Sequence, residues 1–145
     1  MPITPSFPDD LHELLRLHEV RQALAARASY SLLRIAAAVP PDNRPIGGAA
    51  DAGQRAGAWL AGCSTNPGRW TNRPVLVAEL NELDLLLADL RDHLVATVEW
   101  VTVHLGVQAG ARPGPQHTIR VPRTLLAECT TLIEDLDVLV HAAAA

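Results

Sequence analysis

Residues 80–104 read LNELDLLLADLRDHLVATVEWVTVH, and the spacing of the aliphatic side chains in this stretch decides the fold. Leu80, Leu83, Leu87, Leu90, Leu94, Thr97, Val101 and His104 follow one another at alternating intervals of three and four. That is a heptad seam, the pattern of a helix lying along another helix. Asn72 or Thr71 caps its start with Arg73 and Pro74 in the first turn, and Gly106 stands where a C-terminal cap belongs. At 1.5 Å per residue the rod is about 47 Å long.

A helix of that length needs a partner, and the N-terminal segment supplies one. Ser6-Phe7-Pro8-Asp9 offers a cap, a first-turn proline and an acid at the positive helix end. From Leu11 the apolar residues Leu14, Leu15, Leu17, Val20, Leu24, Ala28, Leu32, Ile35 and Val39 keep a helical period until Pro40-Pro41 stops it. This rod is also about 47 Å long. Residues 1–7 are an N-terminal extension. A last helix opens at Pro122 with Leu125, Cys129, Leu132, Leu136 and Leu139 on one face, and the tail 142–145 should fray.

Residues 48–55, GAADAGQR, have the outline of a phosphate-binding loop with Gln54 and Arg55 in place of the Lys and the hydroxyl that such a loop requires. The proline-rich segment before them is no central strand, because proline lacks the donor a ladder needs. A close-packing helix is the better reading of 46–64, with Ala49, Gly53, Gly57 and Ala61 forming a stripe of little bulk beside Ala52, Ala56 and Leu60. A glycine-rich or disordered loop is the alternative. The predicted fold is all-α: one domain over 1–145, an antiparallel four-helix bundle of two long helices and two shorter ones.

Composition agrees. Of 145 residues 48% are apolar and 3% aromatic, so the core is built from Leu, Val and Ala, and all 12 basic residues are Arg, the mark of a GC-rich bacterial genome. A chain of this size buries about 70% of its unfolded surface and needs no metal or disulfide to fold. A net charge of −4 disfavours binding along a nucleic-acid backbone. Cys63 and Cys129 are expected to be free thiols. The absence of a signal sequence and of a long apolar run makes a soluble cytoplasmic protein the expectation.

Up-down-up-down topology brings the 40–46 turn and the 106–121 loop to one end, where Arg44, Arg112, His117, Arg120 and Arg123 gather as a candidate site for an anion or a partner. Arg120 and Arg123 flank the start of the last helix, whose unpaired N–H groups favour an anion. Arg112 and His117 carry the Arg-x4-His spacing of the HEPN ribonucleases, also small helical bundles. That resemblance spans six residues and implies His117 as general acid/base and Arg112 as phosphate holder. At the opposite end Arg69, Trp70 and Arg73 put an indole between guanidinium groups, an interface composition.

No Glu-x-x-His of the bundle metal sites occurs. His18 and His141 come out at similar heights and are the one candidate metal pair; Asp89/His93 and Asp137/His141 read as solvated pairs, and Trp59 and Trp100 as core or core-edge. No cofactor is implied. The expected function is a non-enzymatic protein-interaction or assembly module, through a protein partner or self-association. The alternative is an anion-, phosphate- or RNA-end-binding bundle, an enzyme if the Arg/His loop is catalytic.

Overall fold

The computed structural model describes residues 7–39, 44–63, 73–110 and 121–144, and the side chains of 7–10, 44–47, 63, 106–110 and 140–144 lie outside that description. Among the described residues there are four helices and no strand: α1 (Phe7–Ala37), α2 (Arg44–Cys63), α3 (Arg73–Gly110) and α4 (Arg123–Ala144). Two are long, at 31 and 38 residues, and two shorter, at 20 and 22.

α1 and α3 pack on each other, and each packs on both α2 and α4, while α2 and α4 hardly meet. Along α1 and α3 the cross-links His18–Glu79 and Arg21–Asp84 advance together, as in helices running the same way. Gly48 of α2 approaches His93 of α3 whereas Trp59 reaches back to Glu82, the order of an antiparallel neighbour. Arg34, in the last turn of α1, meets Glu128 near the start of α4.

The seam of α3 is buried at every step from Leu80 to Val101. The helix continues past Gly106 to Gly110, and no described glycine has positive φ, so Gly106 does not cap. The helix-favouring Gln108 and Ala109 carry it on. In α4, Leu125, Cys129, Leu132 and Leu136 are buried as expected. The Pro122 carbonyl accepts from the amides of Leu125 and Leu126, which makes Pro122 the residue on which α4 starts, and the helix runs into the tail as far as Ala144.

α1 departs from expectation in its first half. Val20 is 49% exposed, and the core face instead runs through His18, Ala25, Ala28, Leu32, Ile35 and Val39. The reason is register: these positions, with Arg21 between them, keep the three-and-four spacing of a seam, and Leu17 and Val20 stand to one side of it. Two seam positions are polar, so a reading that followed the aliphatic residues slipped onto the adjacent stripe.

Residues 46–63 are helical within α2, and no phosphate loop forms there. The buried stripe is Ala49, Ala52, Gly53, Ala56 and Leu60; Gly57 and Ala61 are exposed. Among the glycines whose surroundings are described, only Gly53 marks a close approach. A Cβ there would sit 2.9 Å from Leu33 Cγ and 3.1 Å from the carbonyl oxygen of Ser29, whose hydroxyl donates to the Gly53 carbonyl at 2.7 Å. A Cβ at Gly57 would meet nothing nearer than Ser29 Oγ at 3.7 Å. Opposite outcomes are therefore expected in urea unfolding. Gly57→Ala should raise stability by up to about 1 kcal/mol through helix propensity, and Gly53→Ala should lower it by about 1–3 kcal/mol through overpacking against backbone. Equal effects would refute the close approach.

Candidate functional site

The polar residues in the α1 seam are met by carboxylates from α3. His18, 2% exposed, lies with Nε2 3.1 Å from Oε1 of Glu79, itself 7% exposed. One turn on, Arg21 Nε donates to Asp84 Oδ1 at 2.7 Å. Polar groups leave water at a cost unless they are hydrogen-bonded, so two adjacent pairs fix which turn of α1 faces which turn of α3. Sequence reading placed His18 near the apolar face and missed Glu79. A signal existed: Glu79 precedes Thr97 by eighteen residues, five full turns, and so shares the face of a seam position.

This His–carboxylate pair resembles half of a catalytic constellation, but general acid/base chemistry requires contact with a substrate. With His18 2% exposed, the pair acts between helices. The metal pair His18/His141 is not brought into view: His141 lies on α4 with its side chain outside the described ones, and the described partner of His18 is Glu79. Among the described residues no group of three His, Cys, Asp or Glu stands within reach of a common metal ion.

The Arg-bearing end falls mostly outside the described residues. Arg112, His117 and Arg120 lie outside them, as do Arg69 and Trp70 of the opposite end. Arg44 is the first residue of α2, with its side chain outside the description, and Arg123, exposed, is the first of α4. Both helices begin where α1 ends, one after a short connection and the other through the Arg34–Glu128 contact. Arg73 is exposed at the start of α3.

Elsewhere the side chains behave as a packed bundle dictates. Trp59 and Trp100 are half-buried against the core, and the His104 ring stacks on Trp100 with centroids 3.8 Å apart. Asp89 and His93 form a part-exposed pair at 3.6 Å, and Asp137 takes a hydrogen bond from Arg91 of α3. No described helix is long and apolar enough to cross a membrane.

The outward faces of the two central helices are patterned. On α1 the exposed residues Arg16, Val20, Ala23, Arg27, Tyr30 and Arg34 alternate at four and three, on the side away from the seam. On α3 the exposed residues Glu82, Leu85, Asp89, Asp92, Ala96 and Glu99 do the same. Each long helix thus carries a second heptad stripe facing water.

No protein-family model, curated protein or solved structure matches the chain.

Two measurements test the interior chemistry. Glu79→Ala leaves a buried imidazole without its carboxylate and should cost about 3–5 kcal/mol in urea unfolding, while the double replacement His18→Leu/Glu79→Leu should recover most of that loss. Additive losses would show the two side chains to be uncoupled. Burial at 0% exposure pushes the Cys129 thiol up from 9.0 to about 11, with Glu128 adding to the shift and Ser31 and Arg34 opposing it. The native state resists ionisation there, so this stability is fully present below pH 9 and is lost as pH rises toward 11, at about 1.4 kcal/mol per unit. Native Cys129 should resist alkylation at pH 8 and react on unfolding; a native thiol that reacts at the unfolded rate would contradict the burial.

Proposed function

We propose that this chain is a non-enzymatic protein-interaction or assembly module that works through the outward faces of its long helices. The observation that carries the reading is Leu85, a large aliphatic side chain 74% exposed in the middle of α3, on the stripe opposite the buried seam. A single exposed leucine is ordinary. Here it sits in a heptad stripe with small and charged residues, as at a partner-facing helix position, and on α1 Tyr30, 64% exposed, holds the same kind of place. The interior supports the reading as well. His18 and Glu79 are 2% and 7% exposed, and the seam between the long helices is otherwise mostly aliphatic, so the outer surface is what the described part of the fold presents.

Light scattering over about a hundred-fold range of concentration, run beside thermal shifts with nucleotides, phosphate and RNA, tests the proposal. The expected result is a mass that rises with concentration and a melting temperature indifferent to those ligands. A ligand-dependent rise in Tm that Arg120→Ala abolishes would replace the assembly reading with anion binding at the Arg-bearing end.

A further inference from the structure

We infer that the partner is a second copy of this chain, and that the α1 stripe of one copy docks on the α3 stripe of the next. The inference rests on the assembly reading above and adds to it the occupant and the two faces.

Charge complementarity between the stripes carries the argument. The α1 stripe places Arg16, Arg27 and Arg34 among Val20, Ala23 and Tyr30, with Glu13 one step before it on the same spacing and Glu19 beside it. The α3 stripe carries Glu82, Asp89, Asp92 and Glu99 around Leu85 and Ala96, with no basic residue among its six positions. Both repeat every seven residues, α1 beginning with an interval of four and α3 with one of three, so each of the six positions of one comes within about one residue, ~1.5 Å, of a position of the other. When the two helices run parallel, Arg16, Arg27 and Arg34 fall opposite Glu82, Asp92 and Glu99, and Val20 meets Leu85. When they run antiparallel the same arginines fall opposite Glu99, Asp89 and Glu82, and Tyr30 meets Leu85. In either direction every arginine meets a carboxylate and Leu85 meets Val20 or Tyr30, so each alignment pairs unlike charges and gives Leu85 a largely apolar neighbour.

The present partners of these charges do not oppose docking. Arg34 lies 3.9 Å from Glu128, Asp89 3.6 Å from His93, Asp92 3.3 Å from Arg91 and Glu82 3.3 Å from the Trp59 indole nitrogen. These are exposed contacts of the kind that contribute little and rearrange readily. Two like stripes would repel, so α1-to-α1 and α3-to-α3 pairings are disfavoured. Because α1 and α3 are the central pair of the bundle, their outer stripes lie on opposite sides of the molecule. A contact between unlike patches on opposite sides adds copies head to tail and does not close at two.

The test uses the full chain and two charge-reversed variants, Arg27→Glu/Arg34→Glu and Asp89→Arg/Asp92→Arg, each checked for helical circular dichroism. At about 20 mM salt the wild type is expected to grow in mass with concentration without a plateau at the dimer, and to dissociate at about 500 mM. Each variant alone should associate at least about ten-fold more weakly. An equimolar mixture of the two should recover association at least to the one-to-one pair, because the unaltered α1 stripe of the Asp89→Arg/Asp92→Arg variant meets the unaltered α3 stripe of the Arg27→Glu/Arg34→Glu variant. Mixing also separates lost docking from lost folding, since a misfolded variant would not rescue its partner. Association unchanged by either reversal would overturn these faces and leave the assembly reading standing. A monomer at every salt and concentration would overturn this inference and remove self-association from the function proposed above.

Discussion

Leu83, Leu87, Leu90 and Leu94 of α3 are sealed into one core with Ala25, Ala28, Leu32 and Ile35 of α1, and every other contact in the bundle is built around that shared seam. Aliphatic packing sets the strength of the contact but hardly fixes its register, because one leucine substitutes for another a turn away at small cost. The pairs His18–Glu79 and Arg21–Asp84 supply what the leucines lack. Sliding one helix by a turn would leave the buried His18 and Glu79 without each other and part Arg21 from Asp84, a penalty that aliphatic contacts would not offset.

How much of this was legible in the sequence follows from what each residue type says about itself. The seam of α3 from Leu80 to Val101 could be read because those positions are all Leu, Thr or Val, and the face of α4 from Leu125 to Leu136 because it is all Leu and Cys; His104 and Leu139, at the ends of the two readings, are only half-buried. α1 was read correctly as a helix, but its face slipped, since a histidine and an arginine in a seam look like surface residues until the carboxylates opposite them are known. Glu79 and Asp84 are sixty residues away along the chain, and no local pattern connects them. In α2 the glycines announced a close approach without saying which one makes it. Gly53 and Gly57 are equivalent in sequence, and only the position of Ser29 and Leu33 distinguishes them. Of the candidate sites, the Arg112–Arg120 loop and the Arg69–Trp70 pair lie outside the described residues, so their reading stays where the sequence left it.

The same arithmetic of heptads operates twice in this molecule, once inward and once outward. A long helix has room for both, since residues a half-turn from a buried seam form a stripe of equal length on the other side. Inward stripes tolerate charge only in pairs. Outward stripes tolerate it freely, and there the choice of sign, Arg on α1 and Asp or Glu on α3, is the feature that distinguishes one face from the other.

Among the described residues, the near absence of contact between α2 and α4 has a consequence for cooperativity. Each of the two shorter helices docks on the α1–α3 pair without support from the other, so each defines its own opening unit in the sense of a foldon. Undocking α4 would leave the Ser29–Gly53 contact of α2 intact, and loosening α2 would leave Cys129 of α4 beneath its own neighbours. Substitutions in the two helices couple only through the central pair on which both pack. Amide exchange would divide the molecule into a slow central pair and two independently faster flanks.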